Sequence, residues 1–209
     1  MPNNIINATS TGSGGLITTA ADSGSLELQS DGTTIATLSS TGLTMAAGKK
    51  VFSEGSVLQV VTVNKTDTFS MASTTWADIT GLSLSITPTS TSNKIMVLAS
   101  VAFGADINFA YIRLVRDSTV INVGNAAGSR PQVTGAQVYS SSSPTYVVTQ
   151  IPITYLDSPS TTSATTYKIQ IRIGDTSQTA YVNRTASDRD TANYEWRGVS
   201  NIVVMEVKG

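Results

Sequence analysis

Residues 82–103 constrain the fold of this chain more than any other stretch. Leu82-Ser83-Leu84-Ser85-Ile86 alternates apolar side chains with hydroxyls. After the turn at Asn93-Lys94 the run Ile95-Met96-Val97-Leu98-Ala99-Ser100-Val101-Ala102-Phe103 is apolar almost throughout. The first pattern predicts a strand with one wet face, the second a strand covered on both faces. Cover on both sides comes either from a sandwich of sheets or from a neighbouring subunit. Val57-Leu58-Gln59-Val60-Val61 and Ile202-Val203-Val204-Met205-Glu206-Val207 make the same demand, with Glu206 as the one charge that must find a partner if buried. Three such strands exceed the interior a 209-residue monomer offers, which predicts an apolar subunit interface.

In all, strands are expected at 57–64, 68–71, 76–79, 82–87, 94–103, 110–116, 119–123, 146–156, 166–173 and 201–208. They are separated by Gly, Pro, Asn and Ser turns, and no helical period appears. This is an all-β pattern, read as a β-sandwich of jelly-roll type over residues 57–209. In Thr166–Ile173, Tyr167, Ile169, Ile171 and Ile173 should face the core, with Thr166, Lys168, Gln170 and Arg172 outward.

The first 56 residues have another character. Residues 1–25 hold a Gly/Ser/Thr tract at 9–15 and read as an attachment segment. From 26 to 56 short apolar pairs alternate with turns at Ser30-Asp31-Gly32 and Ser40-Thr41-Gly42. Strands this short are marginal alone. Three copies side by side could bury Leu26, Leu28, Ile35 and Leu38 along one axis as a trimerising shaft. The alternatives are a linker, or extra strands docked on the main domain.

Composition narrows the function. The chain has no His and no Cys, and Ser and Thr together exceed a quarter of it. It therefore lacks the usual neutral-pH acid–base group and the thiolate nucleophile, disulfide and soft metal ligand. A net charge of −1 without a Lys/Arg run argues against a nucleic-acid groove. The longest apolar run is far short of the roughly 20 residues of a membrane helix. The N-terminus shows no basic-then-apolar leader, so export by that route is not expected. The expectation is a non-enzymatic protein with no cofactor and no metal. A carboxylate-driven polysaccharide depolymerase is the remote alternative, needing two Asp/Glu about 5–10 Å apart.

Two regions gather aromatic and charged side chains in turn-rich sequence. One is the long loop 124–144 with its flank, carrying Arg130, Tyr139 and Tyr146; the other is Asp188-Arg189-Asp190 with Tyr194-Glu195-Trp196-Arg197. Tyr, Trp and Arg on loops of a rigid β scaffold suit recognition. The second region also suits Ca²⁺ or a sugar, but internal Arg–carboxylate pairing is the plainer reading because Ca²⁺ wants six or more oxygens. Asn7, Asn64 and Asn183 head Asn-x-Thr triplets, expected by chance in a Thr-rich chain.

The ordered series Leu26-Glu27-Leu28-Gln29-Ser30-Asp31-Gly32, Gly81–Pro88 with Ser92–Ile95, Arg113–Asp117, Leu156–Pro159 with Thr166-Tyr167, and Val203–Val207 resembles tail-fibre and virion-fibre proteins of tailed bacteriophages, those of marine phages and cyanophages above all. The resemblance implies a homotrimer in the virion. Its N-terminal segment would dock on other virion proteins, and its C-terminal β-sandwich knob would meet a host-surface glycan or protein. It equally allows a capsid decoration, cement or head-fibre trimer, and the short shaft departs from long fibres.

Overall fold

A computed structural model describes residues 25–106, 109–138 and 144–209. The chain divides into two units, residues 1–53 and 54–209. All of the attachment segment but Ser25 lies outside the described residues.

In the first unit β1 (Leu26–Ser30), β2 (Thr33–Ser39) and β3 (Gly42–Met45) form an antiparallel meander. Asp31 and Gly32 both take positive φ in the first turn, 49° and 73°, as an Asp-Gly hairpin requires. Register places Leu26, Leu38 and Leu43 in one cross-strand row and Leu28, Ala36 and Met45 in the next. Both rows share a face, because successive rows on a face lie two residues apart. Leu38 and Leu43 are about half exposed and Ala36 is buried, so the first row is the open part of this face. Ile35 departs from expectation: it is the extra residue where the β1–β2 register shifts, and falls out of the apolar rows.

The second unit contains β4 (Val57–Lys65), β5 (Phe69–Met71), β6 (Ala77–Ile86), β7 (Lys94–Ala105), β8 (Phe109–Arg116), β9 (Thr119–Ile121) and β10 (Gly135–Val138). These are followed by β11 (Val148–Asp157), β12 (Thr165–Ile173), β13 (Ala180–Val182) and β14 (Ser200–Val207). Three pairs are single strands with a gap. β13 and β14 lie end to end along β7, with β5 and β4 beyond them. β9 and β10 lie end to end along β8. Counted this way there are eight strands, ordered 1-8-3-6 in one sheet and 2-7-4-5 in the other. That is the jelly-roll order, two Greek keys folded into facing sheets.

The core between the sheets follows the alternation. Leu82, Leu84 and Ile86 face Ile95, Val97, Val101 and Phe103, with Tyr167, Ile169, Ile171 and Ile173 beside them, all buried. The stretches 76–79 and 82–87, expected as two strands, form one. β6 runs through Gly81, whose φ of 84° carries the chain across the register shift against β12. A strand missed in the sequence, β10, sits inside the 124–144 region.

The two outer faces differ chemically. On the sheet of β4, β14, β7 and β11, register aligns Val60, Met205, Met96 and Leu156 in one outward row. Thr62, Val203, Leu98 and Thr154 form the next, with Val207 and Val57 beyond the first. Val60, Leu98 and Leu156 are 56%, 37% and 44% exposed. The strands expected to need double cover thus receive it on the core side alone. The other sheet turns outward Asp78, Ser83, Ser85, Tyr111, Arg113, Thr166, Lys168, Gln170 and Arg172.

Candidate functional site

The eighth strand leaves its sheet after Val182 and returns at Ser200, and the excursion 184–199 carries most of the candidate recognition residues. Its base is sealed by Asn183. The backbone N–H of Asn183 donates to Ala102 O at 2.8 Å, and its own O accepts from Gly198 N–H at 3.0 Å. Its side chain donates to Lys65 O and Asp67 O at 2.8 and 2.9 Å and accepts from the Ser200 hydroxyl at 2.6 Å. Asn183 is fully buried with φ of 62°, a conformation Asn tolerates better than most residues. A buried amide so engaged has no room for a glycan, so the Asn183 triplet is a structural device.

Within the excursion Glu195 accepts hydrogen bonds from Ser187 Oγ, Thr185 Oγ1 and Arg189 Nε. The Ser187 and Thr185 hydroxyls, aided by Arg189 and opposed by desolvation, lower the Glu195 carboxyl to about 2. Asp188 bridges Arg184 at 3.1 Å and Arg197 at 2.7 Å. This is internal pairing. Among the described residues no cluster of three or more acidic side chains is placed to hold a metal ion.

The excursion docks on the turn before β11. Ala186 N–H donates to Thr145 O at 3.0 Å, and Ser187 N–H donates to the same oxygen at 3.3 Å. Arg189 lies over the Tyr146 ring at 4.9 Å, and the Tyr146 and Tyr194 rings are 6.0 Å apart with a 45° tilt. The hydrogen bond from Arg189 to Tyr146, then that to Glu195, raises the Arg189 pKa.

The fold therefore brings Tyr146 and Tyr194 into contact and sets Asp188 and Trp196 on the same anchored loop. Tyr194 and Trp196 are exposed, the former to 64%. Arg130 is placed elsewhere, exposed in the 122–134 excursion between β9 and β10, with Nη1 on Ala127 O. Tyr139 lies outside the described residues. Sequence reading missed Arg189 as the cation that holds Tyr146, although its place between two aspartates was visible. Chemically the cluster offers two adjoining phenol rings, an exposed indole and a fixed guanidinium. Asp188 and Glu195 are spent on neighbouring donors.

No protein-family model matches the chain, and no curated protein does. Among solved structures it is similar to a chain of the infectious bursal disease virus VP2 subviral particle, at 13% identity and a TM-score of 0.36. That match covers 92% of this chain and 49% of the other. It is also similar to a chain of infectious bursal virus-derived T=1 particles, at 15% identity and a TM-score of 0.36, covering 92% and 44%. The chain spans less than half the length of these neighbours, and the jelly-roll assignment rests on the strand order itself.

Proposed function

We propose that this chain is a structural protein of a bacteriophage virion: a homotrimeric short fibre with an N-terminal segment docked on other virion proteins and a C-terminal sandwich meeting the host surface. It acts by binding, with weak contacts at the Tyr146–Tyr194–Trp196 cluster multiplied by valency on the particle. The resemblance to phage fibre proteins supports the virion assignment. Self-assembly rests on one observation, the uncovered apolar outer face of the β4–β14–β7–β11 sheet.

That face is mostly apolar, Val, Leu and Met with Thr62 and Thr154 among them and Lys94 at its edge, and three copies can turn it towards a common axis. Four strands and about five residues of strand give it an extent on the order of 300 Å². A stable interface needs roughly 800 Å² per partner. The apolar rows of the β1–β3 meander provide further surface of the same kind. A second and third copy of the chain could cover both.

The test is mass in solution. Light scattering on the intact chain should give about three times the 21.8 kDa monomer. Leu98→Glu and Val60→Glu, at positions where a charge costs a monomer little, should lower that mass while leaving the circular dichroism of a β protein. A folded monomer for the unaltered chain at micromolar concentration refutes the reading.

A further inference from the structure

The outer face of the second sheet holds two guanidiniums that make no ion pair among the described residues. Arg113 lies 4.3 Å from the centroid of the Trp76 ring, and Arg172 lies 5.2 Å from it and 5.3 Å from that of Tyr111. The nearby carboxylate is already committed: Asp78 accepts from Lys168 Nζ at 2.8 Å and from Gln170 Nε2 at 2.7 Å. Arg113 Nε is left with the neutral Gln170 Oε1, at 2.8 Å.

Arg172 is served worse. Its contact with Thr74 O is long, at 3.4 Å, and its Nε is buried without a partner. An unsatisfied buried donor on a charged group is costly and calls for an explanation. Burial, and then the charge of Arg172, lower the pKa of Arg113. Two like charges thus share one indole, and the nearby Asp78 offsets the lowering at Arg113 only in part, an arrangement an anion relieves.

The surroundings say which anion. From Arg172 to Thr166 the outward row of β12 runs six residues, about 20 Å. Beside it lie Asp78, Ser83 and Ser85, with the Ser85 and Thr166 hydroxyls 2.7 Å apart. Such a strip suits a chain of hydroxyl-bearing rings better than a lone inorganic ion. Guanidinium forks match carboxylate geometry, and aromatic rings flank sugar rings.

We propose that this face binds an acidic saccharide, with a uronate carboxylate between Arg113 and Arg172 and its ring beside Trp76. The site is separate from the Tyr146–Tyr194 cluster, and it does not depend on the chain's being a trimer or a virion protein.

The test uses Trp76 as reporter. Trp76 and Trp196 are the chain's two tryptophans, so Trp196→Phe leaves Trp76 alone. In that background, oligomeric alginate should change the emission in a saturable, salt-sensitive way and neutral dextran should not. Arg113→Gln and Arg172→Gln should each weaken binding about tenfold or more, with unchanged thermal melting. Arg172→Lys, which keeps the charge and loses the fork, should weaken it as well. The proposal fails if alginate gives no response or if both Gln variants bind normally. It also fails if inorganic phosphate competes at the same concentration as alginate, or if Tyr194→Ala abolishes the response.

Discussion

At the scale of single residues, the buried polar groups of the sandwich show how far chemistry could be read from sequence. Glu206 was recognisable as a charge in an apolar strand that needed a partner. The structure buries it completely and supplies neutral donors: Thr89 N–H and Oγ1 at 2.6 and 2.8 Å, Asn93 Nδ2 at 2.6 Å and Gln59 Nε2 at 2.7 Å. Burial alone would raise its pKa, but Asn93, Gln59 and Thr89 together outweigh it and the net shift is downward. These partners come from residues 113 to 147 positions away in sequence, a distance at which local pattern carries no information. Asn183 was legible only as a chance glycosylation triplet, because its role depends on Lys65, Ala102 and Ser200 converging on it. Replacing it with Ala would strand the buried Lys65 carbonyl, the partly buried Asp67 carbonyl and the Ser200 hydroxyl and put a Cβ-bearing residue without a local hydrogen bond at positive φ. Asn183→Ala should therefore cost about 2–4 kcal/mol in denaturant unfolding. A loss under 0.5 kcal/mol would mean that water replaces the amide and that the seal is not structural.

Among the elements, legibility followed the strength of alternation. β12 emerged with its predicted faces, since five buried side chains, Thr165 and the four predicted ones, alternate with four outward ones over nine residues. β6, β7 and β14 were found because each satisfies a period of two or an unbroken apolar run. β10 and β13, four and three residues long, carry Gly135-Ala136-Gln137-Val138 and Ala180-Tyr181-Val182, which show too little apolar alternation to mark a strand, and they pair along β8 and β7. The split of the eighth strand was invisible for the same reason, so the base of the candidate site could not be placed from sequence. The excursion it creates has its own electrostatic lock at Glu195. A carboxyl lowered from its ordinary 4.5 to about 2 stabilises the folded loop fully above about pH 4.5. That contribution shrinks as the pH falls towards 2, because the unfolded loop takes up the proton first. With Trp76→Phe leaving Trp196 as sole reporter, emission should hold steady from pH 7 to about 4.5 and change below it. Ser187→Ala, removing the largest stabilising donor, should move that change to higher pH. An unmoved transition would show that Glu195 does not hold the loop.

For the whole molecule, the question is how the two units share the work of association. Among the described residues the sandwich has a continuous core that draws on both its sheets, whereas the meander has a single buried apolar residue, Ala36. The sandwich should fold alone; the meander gains its cover from elsewhere. The sandwich's outer face is nonetheless too small by itself for a tight interface, and losing the meander's rows should leave an association that dilution reverses. Deleting residues 1–53 should thus give a protein with undiminished β-sheet circular dichroism and cooperative melting. Its mass by light scattering should be trimeric at high concentration and fall towards one 15–17 kDa-sized chain, about three quarters of the intact monomer, at low micromolar concentration. Two results would redraw this division. A trimer that persists on dilution would place the whole interface on the β4–β14–β7–β11 face, and a monomer at every concentration would place it on the meander.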